Sequence, residues 1–259
     1  IQLSLGNTQR AIAKKSENVN KKPQAQSEIQ AALNYYQQAA TTSTARNTRI
    51  QALLNQLSLL VETQQNTAAQ ALVPEIQRQL NDLPSSRTAV YARINLAQSL
   101  TKMGQQKGSI SYAQDAAQLL AKAIGDAKSL QDRRAESNAL GSLGEVYEIN
   151  QQWSNAQDLT QQALLLAQAM NASDIAYRWQ WQLGRLLKVQ GKNGDAIAAY
   201  TEAVNTLKFL RKDLVAINPD VQFSFRETVE PVYRQLVALL LQPEETGLKT
   251  DKNSSSSQV

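Results

Sequence analysis

The 259-residue chain contains neither cysteine nor histidine. Without thiols there is no disulfide and no thiolate metal site. Without imidazole there is no Ser-His-Asp or Cys-His nucleophile system, no histidine general base and no ordinary zinc site. Most hydrolase chemistry is excluded by these two absences together. Aromatic residues make up only 5% of the chain. No apolar run approaches the eighteen or more residues of a membrane-spanning helix; the strongest, Leu236 to Pro243, has under half that length. Charge of one sign is also lacking: 27 basic residues face 22 acidic ones for a net +5, and the two are interspersed. The one local excess, Arg10, Lys14, Lys15, Lys21 and Lys22 against Glu17, has no interleaved aromatics for base stacking and reads as a solvated face.

What fills the chain is helix. Ala, Leu, Gln and Arg dominate, apolar residues recur at spacings of three and four, and strand patterns are missing. The few Gly and Pro residues gather at breaks near 19–23, 41–43, 64–66, 83–86, 102–108, 128–132, 150–153, 171–174, 191–194 and 217–220. Setting "LGSLGEVYEINQQWSNAQDLTQQAL" above "WQWQLGRLLKVQGKNGDAIAAYTEAV" aligns Leu143-Gly144 with Leu183-Gly184, Ala156 with Ala196, Thr160 with Tyr200 and Ala163 with Ala203, a period of 40 residues. Looser copies carry Leu5-Gly6 with Ala32, Tyr36 and Ala39 after a long insertion, Leu57-Ser58, and Leu96-Ala97.

These residues resemble the tetratricopeptide repeat, whose two-helix unit carries a leucine, a small residue and an aromatic on its first helix and small-aromatic-small spacing on its second. Leu143, Gly144, Tyr147, Ala156 and Ala163 match one unit; Leu183, Gly184, Ala196, Tyr200 and Ala203 match the next. Thr160 in place of an aromatic, the missing unit-end proline and the period beyond thirty-four depart from the pattern. The longer period, with "LGNTQRA", "LNQLSLLV", "DRRAESNALGSLGEVYE", "WQWQLGRLLKVQG" and "FRETVEPVYRQLVALLLQ", is similar to the repeat region that precedes the caspase-like domain of cyanobacterial CHAT proteins. That resemblance implies that the chain is part of a longer protein whose peptidase-like half lies elsewhere.

The expected fold is therefore all-α: a right-handed superhelix, or α-solenoid, of about five hairpins plus a C-terminal capping helix over 1–243, with 244–259 a linker or disordered tail. Small residues belong where two helices cross, and Gly144 and Gly184 fit that role. Gly141 has Trp181 as its counterpart and no evident reason. Tyr36, Tyr147, Trp153 and Tyr200 are expected to pack hairpins. Trp179 and Trp181, two apart on one helix, cannot both point inward.

Stacked hairpins leave a concave groove lined by first helices. The candidate partner-binding residues are Asn55, Gln56, Asn95, Gln98, Asn138, Ser142, Glu145, Arg178, Gln182, Arg185 and Lys188. Amides among them can both donate to and accept from a peptide backbone, and Arg178, Arg185 and Lys188 favour an acidic segment. The expected function is non-catalytic recognition of a protein or peptide, with the chain's own C-terminal domain as a further partner, and with no catalytic residue, cofactor, metal or membrane. The cytoplasm is the favoured compartment, although nothing in the sequence fixes it. Two alternatives compete. One is a nucleic-acid-binding helical repeat, which the sequence pI near 9.3 favours. The other is a helical-toroid enzyme using carboxylates such as Glu145, Glu148 and Asp158.

Overall fold

The computed structural model describes residues 1–18, 20–107, 110–217 and 221–241, and side chains within them apart from 107, 211–217 and 221–229. Among the described residues there are eleven helices and no strand. In order they are α1 (Gln2–Asn18), α2 (Lys22–Thr42), α3 (Arg46–Glu62), α4 (Asn66–Asn81), α5 (Arg87–Lys107), α6 (Ile110–Ser129), α7 (Arg133–Ile149), α8 (Trp153–Ala169), α9 (Ser173–Val189), α10 (Asn193–Ile217) and α11 (Val221–Leu240). Consecutive odd and even helices pack as five hairpins, and α11 packs on α10. The chain is an α-solenoid of tetratricopeptide-like hairpins. Its connections fall at the breaks expected from the sequence, except that α5 runs on through Lys102 to Lys107. Residues 218–220, part of the last break, and the tail 242–259 lie outside the described residues.

Six of these turns share one geometry. A single residue with positive φ follows the helix: Asn20, Gln64, Gln131, Gln151, Asn171 or Gly191, with φ between 53° and 75°. The next N–H reaches back five residues to a helical carbonyl, as Gln65 to Leu60 at 2.8 Å and Gln152 to Tyr147 at 2.9 Å. This is a Schellman closure, which glycine usually fills because a Cβ is strained there. Glycine does so only at Gly191. The triple variant Gln64→Gly, Gln131→Gly, Gln151→Gly is therefore expected to gain about 0.5 to 1 kcal/mol per site, read as a higher urea midpoint with an unchanged slope.

The even helices repeat one buried triad at i, i+4 and i+7: Ala32, Tyr36, Ala39; Ala69, Val73, Ile76; Ala116, Leu120, Ala123; Ala156, Thr160, Ala163; and Ala196, Tyr200, Ala203. Opposite the middle member, the odd helices vary in size to compensate. A Cβ on Gly6 would stand 2.5 Å from the Tyr36 ring, and one on Gly184 would stand 3.1 Å from Tyr200. In the fourth hairpin the ring is replaced by Thr160, and the space is filled from the next hairpin. Gln182 donates from Nε2 to Thr160 Oγ1 at 3.0 Å and to the Gly141 carbonyl at 3.2 Å. A Cβ on Gly144 would meet both side chains, at 2.8 and 2.9 Å. The second hairpin corrects the alignment read from the sequence. Gly144 and Gly184 lie seven residues before the positive-φ residue of their turns, and the same count back from Gln64 reaches Leu57, not Ser58. Leu57 is fully buried on the hairpin with the smaller Val73. Ser58 is half-buried and accepts from Arg10 Nη2 at 2.9 Å.

The long insertion in the first hairpin is helix rather than loop. α1 runs twelve residues beyond Gly6 where α7 runs five beyond Gly144, and α2 begins fourteen residues before Tyr36 where α8 begins seven before Thr160. Each arm gains seven residues, close to two turns, so its buried face continues in phase.

The odd helices also pack on one another in sequence, α1 on α3, α3 on α5, α5 on α7 and α7 on α9, whereas among the described residues the even helices have no comparable side-by-side packing. The odd helices thus form the inner wall and the even helices fan outward. None of the described helices is long and apolar enough to cross a membrane.

Candidate binding trough

Along the inner wall lie two cavities that meet. The narrower, of about 320 Å³, is bounded by α1, α3 and α5 and reaches α7 and α9; Arg10, Asn55, Ser58, Asn95, Gln98 and Lys102 line it. The wider, of about 1190 Å³, lies toward α7, α9 and α11 and is lined by Glu148, Trp153, Trp181, Arg185, Lys188 and Gln235 among others. Glu145 and Arg178 line both. The shared residues make one trough that crosses all five hairpins.

Of the residues expected on this surface, Asn55, Asn95, Gln98, Glu145 and Arg178 line the narrow cavity, and Gln182, Arg185 and Lys188 join Glu145 and Arg178 in the wide one. Gln56, Asn138 and Ser142 line neither. Ser142 and Gln182 are buried, 3% and 2% exposed, which corrects the expectation that they await a ligand. Adjacent odd helices pack closely enough for short polar side chains to meet across them. Gln98 Nε2 donates to Ser142 Oγ at 3.1 Å, and Asn55 Nδ2 donates to Asn7 Oδ1 at 2.8 Å. Asn138 turns back to its own helix, donating to the Arg134 carbonyl at 3.0 Å. Part of the amide set therefore fixes the stacking of neighbouring hairpins, since buried polar groups must find partners.

At the wide end Arg185 is held from two directions. Its Nε and Nη2 donate to the two Glu148 oxygens at 2.7 and 2.8 Å, and its guanidinium lies 4.8 Å from the centre of the Trp181 ring. Burial works against its charge, but the paired bonds and the fields of Glu148 and Glu145 outweigh it and hold its pKa above the ordinary arginine value. Arg178 lies 5.1 Å from the Trp179 ring. Neither Arg178, Lys188 nor Glu145 forms an ion pair among the described residues.

Tyr200 reaches the same cavity from α10, and its hydroxyl donates to Gln235 Oε1 at 3.1 Å. Burial pushes its pKa up to about 12, with Arg185 opposing and Glu148 adding to the shift. Because the folded pKa is raised, this contribution to stability is full below pH 10 and fades as pH climbs through 12. At pH 11 the chain is expected to lose about 1 kcal/mol more than Tyr200→Phe does, relative to pH 8; denaturant midpoints of the two proteins at both pH values check this.

The tryptophans divide as their spacing requires. Trp179 is buried, its Nε1 donating to Ser137 Oγ at 3.1 Å, while Ser137 donates to the Ala163 carbonyl at 2.7 Å. Trp181 is half-buried on the trough, its Nε1 donating to Gln235 Oε1 at 2.7 Å. Trp153, expected to pack a hairpin, is half-buried and lines the wide cavity, as does half-buried Tyr177. Gly141 now has a reason: a Cβ there would overlap the Trp179 ring. Gln235 and Tyr177 were missed because no repeat partner marks them. Lys102 was missed because its helix was expected to end there.

No protein-family model matches the sequence, and no curated protein does so either. Solved structures do match in fold. A thermophilic tetratricopeptide-repeat protein from Thermus thermophilus superposes with a TM-score of 0.55 at 14% identity, covering 91% of this chain and 99% of that one. A putative kinesin light chain of Podospora anserina with nearly identical TPR-like repeats gives 0.57 at 16% identity, over 80% and 96%. A Rap protein in complex with competence and sporulation factor gives 0.61 at 14% identity, over 92% and 67%. At these identities the likeness is one of fold.

Proposed function

We propose that the chain is a non-catalytic interaction module that holds a segment of a protein or peptide in the inner trough. The observation that carries this reading is that the two cavities share Glu145 and Arg178 in their linings, so that one elongated open surface of mixed polar and apolar character runs along the inner wall. The Rap protein, solved in complex with competence and sporulation factor, supports the reading by likeness of fold. An acidic partner is favoured by Arg178 and Lys188. The module would serve as the sensing or scaffolding part of a larger protein and act on a caspase-like domain of CHAT type in the same polypeptide. That last element rests on the similarity of the quoted sequence phrases.

Peptides selected from a random displayed library test the proposal. Asn95→Trp, which fills the narrow cavity, is expected to weaken the selected peptides at least tenfold, while Leu165→Gln on exposed α8 leaves them unchanged. Peptides indifferent to Asn95→Trp and weakened by Leu165→Gln would place recognition on the outer face.

A further inference from the structure

The wide end of the trough carries a linear pattern of chemistry on one helix. Arg178, Trp181, Arg185 and Lys188 follow one another on α9 at spacings of three, four and three, and all four line the cavity. Arg185 is neutralised by Glu148, and Asp174, which lines the same cavity one turn before Arg178, is paired with Arg134 outside the lining. With Asp174 set against Arg134 and Glu148 against Arg185, the charges left without an ion pair are Arg178 and Lys188 at the two ends of the stripe and Glu145 on the facing helix. Between the two cations stands Trp181, fixed at its Nε1 by Gln235 and on its face by Arg185.

Ten residues of helix separate Arg178 from Lys188, a rise of about 15 Å at 1.5 Å per residue. An extended peptide advances about 3.3 Å per residue, so four to five of its residues span that distance. Alternate side chains of an extended strand point the same way, so residues at i, i+2 and i+4 of a bound segment face one wall. Resting on the function proposed above, we infer that the wide cavity selects an extended acidic segment with carboxylates four residues apart and a bulky apolar residue midway, the carboxylates on Arg178 and Lys188 and the apolar side chain on Trp181. Charge complementarity at the ends and an indole between them choose this occupant over a basic or uniformly apolar one. Glu145 opposes any further acid near Arg178.

The three tryptophans of the chain all line this cavity, so intrinsic fluorescence reports its occupancy without a label. The probe is the peptide Gly-Ser-Asp-Gly-Leu-Gly-Asp-Ser-Gly, amidated and acetylated, titrated into the intact chain. It is expected to change tryptophan emission and to bind at least tenfold more tightly than its Asn-for-Asp counterpart. The advantage should shrink as salt is added. Arg178→Glu with Lys188→Glu should abolish that preference and transfer it to the matching Lys-for-Asp peptide, a gain that an unfolded variant could not show. Glu145→Gln should tighten the acidic probe about twofold. Suberate, two carboxylates without a backbone or apolar side chain, should bind at least tenfold more weakly than the peptide; equal binding would reduce the site to a receptor for free dicarboxylates and overturn the inference. Equal binding of the Asp and Asn peptides would overturn it too. In that event library peptides still weakened by Asn95→Trp would leave the broader interaction function standing, whereas peptides indifferent to every trough substitution would remove both.

Discussion

Gly141→Ala is expected to lower the unfolding free energy by about 2 to 3 kcal/mol, although alanine is the better helix former by about 1 kcal/mol. The added methyl would overlap the Trp179 ring, the largest of the fully buried side chains, whose Nε1 is tied to Ser137. Trp179 cannot swing away without breaking that bond to Ser137, whose own hydroxyl is fixed by donation to the Ala163 carbonyl. The same substitution at Gly125 makes a sharp contrast. Gly125 lies in α6, exposed, and a Cβ there meets nothing within 4 Å. Gly125→Ala should stabilise by about 0.5 to 1 kcal/mol. Helix propensity alone gives both changes the same sign, whereas packing gives them opposite signs. Denaturant titration of the two variants decides between these accounts, and loss of the blue-shifted tryptophan emission in Gly141→Ala would locate the damage at Trp179.

Asp126→Ala is expected to cost more, about 3 to 5 kcal/mol, because it strands a buried cation. The Arg93 side chain on α5 is 4% exposed, and its Nη1 donates to Asp126 Oδ2 on α6 at 2.7 Å. Removing the carboxylate leaves the guanidinium desolvated and without its ion-pair partner. Arg93→Met with Asp126→Ala should recover most of the loss, since a buried pair replaced on both sides by apolar groups is often close to neutral. A double-mutant cycle by urea unfolding measures the difference; a double variant no more stable than Asp126→Ala would show that Arg93 is held by something other than its partner.

Much of this architecture was legible in the residues because helical repeats write their packing locally. Gly184 and Tyr200, sixteen residues apart, announce a crossing that the structure contains, and the breaks read from the sequence fall at the turns between helices. The second hairpin departs by one residue from the alignment because its crossing position holds Leu57 rather than a small side chain, on a hairpin whose other helix carries Val73 in place of a ring. Such exchanges of volume conserve packing while erasing the sequence signal. Gly141 was opaque for a different reason: its partner Trp179 belongs to the next hairpin, and contacts between repeats have no fixed sequence offset to search. Of the candidate trough residues, helix phase sufficed to place Asn55, Asn95, Gln98, Glu145, Arg178, Arg185 and Lys188 on the inner wall. It could not foretell that Ser142 and Gln182 would be spent on neighbouring hairpins, because that depends on how closely the odd helices approach.

Site-specific photocrosslinking tests most directly whether the inner wall is where a partner lies. A benzoylphenylalanine at Lys188, on the trough, is expected to capture a library-selected peptide, and one at Leu165, 66% exposed on α8, to capture none. Capture at Leu165 with none at Lys188 would put the partner on the outer helices and contradict the account.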